Sequence, residues 1–352
     1  MINTAQLIMK SLLLVALLAL APVSAQEWRR AESLRGAWKF EIGDDPAYSA
    51  RAYDDLRWEP IRVPGAWENQ GFPGYDGYAW YRKNFSTPPE AAAYPLYLQL
   101  GRIDDVDETY VNGKLVGYQG GMPPHYETAY SYARRYLIPK EFLDPSGQNV
   151  IAVRVYDDEL AGGIIDGEIG IFYAPNQMQV SLRLDGFWKL QIGDNDNYSL
   201  PDWDDAGWQQ VAVPGYWDAY GHKHYDGIGW YRKKFRLPRA LANEKLILVL
   251  GKIDDVDEVY LNGKFLGKTG RWPERPDYQG FYEDYYQQER AYFIPAEMLL
   301  PDQENVVAVR VFDAMLHGGI WDGPVGLATR SQYRRWQDRQ SSLKDFFWDF
   351  FK

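Results

Sequence analysis

The sequence predicts an all-β protein of two tandem jelly-roll β-sandwiches, followed by a short C-terminal amphipathic helix. Three observations predict this fold. The chain repeats itself at an offset of 150 residues, as from Trp38 to Trp188. Short β-branched runs alternate with Gly, Pro and Asn turns, and no long segment before the C-terminal tail has a 3.6-residue apolar period. A period of this length has the size of a whole domain, not of a solenoid unit.

The first 25 residues have the composition of a secretory signal. A single basic residue, Lys10, precedes the apolar run at 12–21, and the small residues at 23–25 follow. The apolar run of about ten residues is too short to span a bilayer. We therefore expect cleavage of residues 1–25, a mature chain that begins at Gln26 without a transmembrane span, and a periplasmic or secreted location.

The repeat defines the predicted domains. Segment 34–39 returns as 184–189 and segment 100–108 (LGRIDDVDE) returns as 250–258 (LGKIDDVDE). The offset then grows to 156, because the second copy has six more residues between Pro273 and Arg290. We predict a first jelly roll at 27–174, a second at 175–329 and a helical tail at 330–352.

Each copy contains strand and hairpin signals. Segments 150–155 and 246–250 are short apolar runs rich in Val, Ile and Leu. Asn112-Gly113 and Asn262-Gly263 each supply the two positive-φ positions of a type I′ turn, which predicts a hairpin in each copy. Many short strands with frequent turns indicate a sandwich or jelly roll.

Composition excludes several classes of protein. The 352 residues include no Cys, so disulfide scaffolds, Cys-ligated metals and thiol nucleophiles are excluded. The net charge of −11 argues against nucleic-acid binding, which needs a basic face. What remains distinctive is the aromatic content of 16%.

An ordered series of short motifs runs through both copies: Gly-x-Trp-Lys, Val-Pro-Gly-x-Trp, Tyr-Asp-Gly, Trp-Tyr-Arg-Lys, Ile-Asp-Asp-Val-Asp-Glu, Asn-Gly-Lys and Asn-Val-x-Ala-Val-Arg-Val. This series resembles the galactose-binding-like jelly roll, which is the sugar-binding domain of glycoside hydrolase family two and the jelly-roll portion of sialate O-acetylesterases. In those enzymes catalysis resides in a separate TIM barrel or α/β domain, and the sequence shows neither.

The resemblance implies the jelly-roll fold and a carbohydrate setting. Together with the signal segment at 1–25, it leads us to expect an exported protein that binds carbohydrate without cleaving it. Two alternatives remain open. One is a hydrolase of the family-two type that acts on O-glycosyl bonds, so that any enzymatic activity would be that of a glycosidase. The other is a periplasmic sensor or protein-interaction module.

The duplicated acidic segments 104–108 and 254–258 have three candidate roles. Paired carboxylates are the catalytic groups of glycosidases, and several carboxylate oxygens bind calcium. The same groups also stabilise structure by accepting backbone N–H bonds or pairing with Arg82 or Arg232. Side chains alternate along a strand, so we expect the residues of any calcium site to be the pairs Asp105/Asp107 and Asp255/Asp257. The sequence indicates no other cofactor.

Matched tryptophans are expected to divide between core and ligand loops. Trp38, Trp58 and their second-copy counterparts are predicted to be core residues. Loop aromatics beside acids suit sugar binding, because rings stack on sugar C–H faces and planar polar groups bind hydroxyls. These candidates are Trp67, Glu68, Tyr75 and Asp76 in the first copy and Trp217, Asp218, Tyr225 and Asp226 in the second. Packing of these loops against the sandwich is the alternative.

Unmatched aromatics favour the second copy as the binding domain. Trp272 replaces Met122 and Trp321 replaces Ile165. We therefore add Arg271, Trp272, Trp321 and Asp322 to the candidate ligand residues, together with Arg134 and its counterpart Arg290, which follow the aromatic loops.

The tail repeats apolar residues at helical spacing from Trp336 through Leu343 to Phe351. An aromatic amphipathic helix of this kind docks on its own domain, on an envelope protein or on a membrane surface.

Overall fold

The computed structural model describes residues 28–87, 89, 91, 94–222, 225–272 and 285–350, with side chains as far as residue 340. The predicted signal at 1–25 and the loop segment at 273–284 lie outside these residues. Strands in the described part form two four-stranded and two six-stranded sheets, and a helix follows them. The predicted all-β fold of two sandwiches is confirmed.

The first repeat pairs a six-stranded sheet, in the order β3-β2-β4-β9-β6-β7, with a four-stranded sheet, in the order β1-β10-β5-β8. Neighbouring strands within both sheets are antiparallel. The strands are β1 (Arg29–Ser33), β2 (Gly36–Ile42), β3 (Glu59–Val63), β4 (Gly77–Ser86), β5 (Leu96–Asp104), β6 (Val106–Val111), β7 (Lys114–Gln119), β8 (Ala133–Ile138), β9 (Gln148–Asp157) and β10 (Gly163–Tyr173).

The second repeat has the same topology, with sheets ordered β13-β12-β14-β19-β16-β17 and β11-β20-β15-β18. Its strands are β11 (Leu182–Arg183), β12 (Gly186–Ile192), β13 (Gln209–Val213), β14 (Gly227–Arg236), β15 (Leu246–Asp254), β16 (Val256–Leu261), β17 (Lys264–Thr269), β18 (Glu289–Phe293), β19 (Glu304–Asp313) and β20 (Gly319–Thr329). Helix α1 (Arg330–Phe350) follows.

The predicted hairpins are present in both repeats. Asn112 and Gly113 have φ angles of 50° and 80°, and β6 and β7 pair on either side of them. Asn262 and Gly263 have φ angles of 51° and 78° between β16 and β17. Positive φ at both central residues is the requirement of a type I′ turn, so this local prediction holds.

Each sandwich has one apolar core between its two sheets. Trp38 and Trp188 lie in these cores, and each indole N–H donates a 2.7 Å hydrogen bond to a backbone carbonyl four residues earlier. Trp58 is also buried, but it packs with Trp80 in a separate cluster outside the main core. The prediction that these matched tryptophans are buried is confirmed, with Trp38 and Trp188 in the main cores and Trp58 and Trp208 in smaller clusters.

Helix α1 begins directly after β20. Its residues Tyr333 and Trp336 pack on a small cluster that includes Met178, Ile247 and Ala328. The start of the tail therefore docks on the second repeat, while the apolar side chains at 343–351 lie outside the described part. Among the described residues, no helix combines the length and apolar character that crossing a bilayer requires.

The two repeats contact each other near strand β7. The Gly120 amide donates a 2.6 Å hydrogen bond to the Ala219 carbonyl, and Tyr118 packs edge-on against Tyr220 with ring centroids 5.0 Å apart. Tyr118 and Tyr132 also pack against the core of the second repeat. Side chains of the first repeat thus border the loops at one end of the second.

Candidate functional site

Carboxylates meet where the chain passes from one sheet to the other. Strand β5 of the four-stranded sheet ends at Asp104, β6 of the six-stranded sheet begins at Val106, and β9 ends at Asp157. Asp104, Asp105 and Asp157 each place a carboxylate oxygen within 4.8 Å of the other two. We call this group the repeat 1 cluster.

The same strand junctions produce an equivalent group in the second repeat. Asp254, Asp255 and Asp313 also have carboxylate oxygens within 4.8 Å of one another, and we call them the repeat 2 cluster. Burial, together with neighbouring negative charge, raises the pKa of Asp254 to about 8 and that of Asp313 to about 9. In the first repeat the same causes raise the pKa of Asp104 to about 7 and that of Asp157 to about 8.

The expected pairing of Asp105 with Asp107 on one side of a strand is wrong. Asp105 lies between β5 and β6, not within a strand, so the alternation of side chains does not apply to it. Its carboxylate accepts hydrogen bonds from Thr128 and from the Asp158 amide. Asp107 binds a different set of groups.

Arg134 is the partner of Asp107. Its Nε donates a 2.8 Å hydrogen bond to Asp107, and its remaining nitrogens donate to the carbonyls of Ala129, Tyr132 and Asp105. The Arg134 and Asp107 side chains have no exposed surface. Arg134 therefore stabilises the fold and cannot reach a ligand, contrary to its predicted role.

The second repeat repeats this arrangement. Arg290 donates a 2.8 Å hydrogen bond to Asp257, both side chains are fully buried, and Tyr292 also donates to Asp257. The prediction of Arg290 as a ligand residue and the pairing of Asp255 with Asp257 in one cation site are corrected for the same reason.

The two arginines that the sequence suggested as partners of the acidic segments pair elsewhere. Arg82 donates a 2.8 Å hydrogen bond to Asp55, and Arg232 donates a 2.9 Å hydrogen bond to Asp205. Both guanidinium groups also bind backbone carbonyls of the loop that precedes β3 or β13. They hold that loop against the six-stranded sheet.

Trp67 and Trp217 do not offer stacking surfaces. Their exposed fractions are 0% and 1%, and each lies in the core of its sandwich. A Cβ added to Gly162 would lie 2.1 Å from the Trp67 ring, so the loop after β9 rests directly on the indole. Loop packing, the alternative to sugar binding, is the role of both tryptophans.

The acids that follow these tryptophans hold the same loop. Glu68 accepts a 3.1 Å hydrogen bond from the Gly162 amide, and Asp218 accepts one of 3.1 Å from the Gly318 amide. Asp218 also lies 3.2 Å from Nδ1 of His317. The residues after these two glycines, Gly163 and Gly319, pair with Asp104 and Asp254, so the two acids hold loops that lead to these aspartates.

In each Tyr-Asp-Gly motif the tyrosine makes a hydrogen bond within the protein and the aspartate is exposed. The Tyr75 hydroxyl donates to the Tyr78 carbonyl at 2.6 Å, and the Tyr225 hydroxyl donates to the Ile228 carbonyl at 3.1 Å. These tyrosines therefore brace their own loops. Asp76 and Asp226 are exposed, and their charges contribute to the raised pKa values of the neighbouring clusters.

The second repeat contains an aromatic stack that the equivalent positions of the first repeat lack. Trp321 stacks on Tyr216 with ring centroids 5.8 Å apart and ring planes 5° apart. His317 packs against Tyr216 at 5.3 Å, and Asp322 is adjacent in sequence. We call Tyr216, His317, Trp321 and Asp322 the aromatic patch.

Charged side chains from both repeats surround the aromatic patch. Lys252 lies 5.1 Å from the Trp321 ring centroid and 3.5 Å from Asp322. Arg135 of the first repeat lies 3.8 Å from the other Asp322 oxygen. Half-buried rings beside polar groups are a common composition of ligand sites.

A family model matches residues 193–317, and its description is the second all-beta domain of beta-galactosidase. The predicted resemblance to the all-β domains of glycoside hydrolase family two is confirmed.

Curated relatives of this family-two type match parts of the chain. A beta-galactosidase of Bacteroides ovatus is 26% identical over 153 residues, which cover 40% of this chain and 16% of that protein. A beta-glucuronidase of Formosa agariphila is 29% identical over 95 residues, which cover 23% of this chain and 10% of that protein. The matches thus span less than a fifth of these relatives' lengths.

Two solved structures are similar to this chain at low sequence identity. A beta-glucuronidase of Bacteroides uniformis has 16% identity and a TM-score of 0.36, with 82% of this chain and 28% of that chain covered. A glycosyl hydrolase family 2 member from Bacteroides cellulosilyticus has 14% identity and a TM-score of 0.36, with 81% and 32% covered.

Trp272, another unmatched aromatic residue of the second repeat, lies against the six-stranded sheet of that repeat. The Arg310 guanidinium lies 4.0 Å from the Trp272 ring centroid, and Phe312 packs beside the same ring. Contacts within the protein therefore cover part of the Trp272 ring. Arg271 is exposed at the start of the loop at 273–284.

Sequence reasoning missed four members of the clusters and two members of the aromatic patch, Tyr216 and His317. Alternation of side chains along a continuous strand would place Asp104 and Asp254 on the face opposite Asp105 and Asp255, so the pattern did not predict them. Asp157 and Asp313 follow the Asn-Val-x-Ala-Val-Arg-Val strand in both copies, and this match was an available signal. Tyr216 replaces Ala66 and could have been found by the same comparison.

Proposed function

We propose that this protein is exported and binds carbohydrate without cleaving it, with the aromatic patch of the second repeat as its binding surface. The stacked pair of Trp321 and Tyr216 carries the proposal, because the equivalent positions of the first repeat hold Ile165 and Ala66. Maintenance of a shared fold does not require this difference.

The chemistry of the patch suits a sugar. An aromatic face binds the C–H surface of a pyranose, while charged and planar groups at the rim hydrogen-bond to its hydroxyls. Asp322 supplies acceptors, and Lys252 and Arg135 supply donors. Because Arg135 comes from the first repeat, both repeats contribute to the proposed surface.

The acidic clusters support binding over hydrolysis. The carboxyl groups of glycosidases flank the scissile bond at about 5 to 9.5 Å from each other and contact the sugar. The cluster oxygens are within 4.8 Å of one another, and Asp157 and Asp313 have no exposed surface. These two carboxyls are therefore poorly placed to protonate or attack a glycoside.

Isothermal titration with a saccharide panel tests the proposal. The panel should contain glucuronic acid and galactose glycosides, since two relatives are named as a beta-glucuronidase and a beta-galactosidase. We expect Trp321→Ala to weaken binding at least tenfold, and the matched control Ile165→Ala to leave it unchanged. Equal affinities of the two variants would place binding elsewhere.

Two further measurements separate the alternatives. Release of nitrophenol from nitrophenyl glycosides would refute binding without cleavage. If no saccharide binds and a pull-down from an envelope extract recovers a stable protein partner, a sensor or protein-interaction role replaces ours. Export predicts a periplasmic or secreted mature protein with Gln26 as its first residue, which N-terminal sequencing will detect.

A further inference from the structure

We propose that each repeat binds a calcium ion through its acidic cluster, at the junction where the chain crosses between sheets. The ligands are Asp104, Asp105 and Asp157 in the first repeat and Asp254, Asp255 and Asp313 in the second. Two copies that differ elsewhere in sequence place the same three carboxyls at the same junction.

The separations suit calcium. Calcium binds oxygen at about 2.3 to 2.6 Å, so two ligands on opposite sides of the ion lie about 4.6 to 5.2 Å apart. Ligand oxygens of the clusters lie within 4.8 Å of one another, inside this limit. Magnesium binds at about 2.0 to 2.1 Å in a near-ideal octahedron, which requires a tighter set of oxygens.

Unpartnered buried oxygens provide an independent indication of a ligand. Asp157 is completely buried, and among the described residues neither of its carboxylate oxygens has a hydrogen-bond partner. Asp313 is also completely buried, and its Oδ2 has no hydrogen-bond partner in the part of the chain that the structure describes. Native proteins rarely leave buried acceptors unsatisfied, and a bound cation would satisfy both groups.

The first repeat offers more free oxygens than the second. Within the described part of the chain, Oε2 of Glu68 is buried without a hydrogen-bond partner. Its Oε1 accepts a hydrogen bond from the amide of Gly162, and the next residue, Gly163, pairs with Asp104 of the cluster. The counterpart of Glu68, Asp218, uses one oxygen for His317 and the other for Gly318. We therefore infer that the first repeat binds calcium more tightly.

Calorimetric titration of the full chain after dialysis against EGTA tests the proposal. We expect two calcium ions per chain at pH 7.5 with unequal affinities, and at least tenfold weaker binding of magnesium. Asp157→Asn should remove the tighter event, and Asp313→Asn should remove the weaker one. The control Asp158→Asn changes the next carboxyl, which is exposed, and should retain both events.

Thermal unfolding shows whether the variants fold. In EGTA, Asp157→Asn should melt at or above the wild-type temperature, because asparagine removes a buried charge while keeping its shape. Calcium should then raise its melting temperature less than it raises that of the wild type. No calcium binding by the wild type up to 1 mM, or wild-type stoichiometry in both Asn variants, would overturn the proposal. If neither variant folds, native mass spectrometry of the wild type decides by counting bound calcium ions.

Discussion

Replacement of Arg134 by methionine should destabilise the first repeat severely. The guanidinium donates four hydrogen bonds, of 2.8 Å to Asp107, 2.7 Å to Ala129, 2.6 Å to Tyr132 and 2.8 Å to Asp105. Methionine fills part of the space but supplies no donor. Asp107 then remains buried without a positive partner, and three carbonyls lose their donors.

The size of the effect follows from burial. Removing one member of a fully buried ion pair costs about 3 to 5 kcal/mol. For a domain of about 150 residues, each kcal/mol corresponds to about 2 to 4 °C, so the melting temperature of the first repeat should fall by roughly 10 °C. Loss of the bond to the Asp105 carbonyl should also weaken calcium binding at the repeat 1 cluster.

Strand β5 offers a matched control. Arg102 forms an ion pair with Asp166, and their side chains are 47% and 45% exposed. Arg102→Met should cost no more than about 1 kcal/mol, because water screens an exposed pair. Differential scanning calorimetry of both variants in EGTA measures the difference. Equal melting temperatures would refute the structural role assigned to Arg134.

Two further predictions concern packing and pH. Gly162→Ala should lower the free energy of unfolding by about 1 to 3 kcal/mol or more, because the new Cβ would lie 2.1 Å from the Trp67 ring. The control Gly207→Ala, whose Cβ would have no described atom within 4 Å, should change it by less than about 0.5 kcal/mol. Urea unfolding measures both values. In EGTA, the melting temperature should fall as the pH rises from about 4 to 9. The pKa values of Asp157 and Asp313 are about 8 and about 9 in the folded protein and about 4 in the unfolded chain. Between these values the folded protein keeps protons that the unfolded chain has released, so a rise in pH favours unfolding. Calcium should reverse this loss; a flat profile in EGTA would contradict the prediction.

Local chemistry made much of the fold predictable. Asn112-Gly113 and Asn262-Gly263 specify their turns because asparagine and glycine adopt positive φ more readily than other residues. The repeat also identified Trp38 and Trp188 as core residues without any knowledge of their contacts. Because the chain contains the pattern twice, residues that are the same in both copies can be compared within one sequence.

The site was less predictable, because exposure is not a local property. Trp67 and Trp217 precede acids in loops, as a sugar site would require, yet the loops after β9 and β19 cover them. Arg134 and Arg290 follow aromatic segments, but their partners Asp107 and Asp257 lie about thirty residues earlier, on a strand of the other sheet of the same sandwich. Only the folded chain brings them together.

The sequence by itself determined the all-β class, the duplication, the turns and the aromatic difference between the repeats, since these depend on residue identity and spacing. The tertiary structure decided which acids meet. Asp104 and Asp157 belong to different sheets and lie far apart in sequence, and they converge because β5 and β9 end at the same end of the sandwich. It also placed Arg135 of one repeat beside Asp322 of the other. Both outcomes depend on how strands pack, which no short segment encodes.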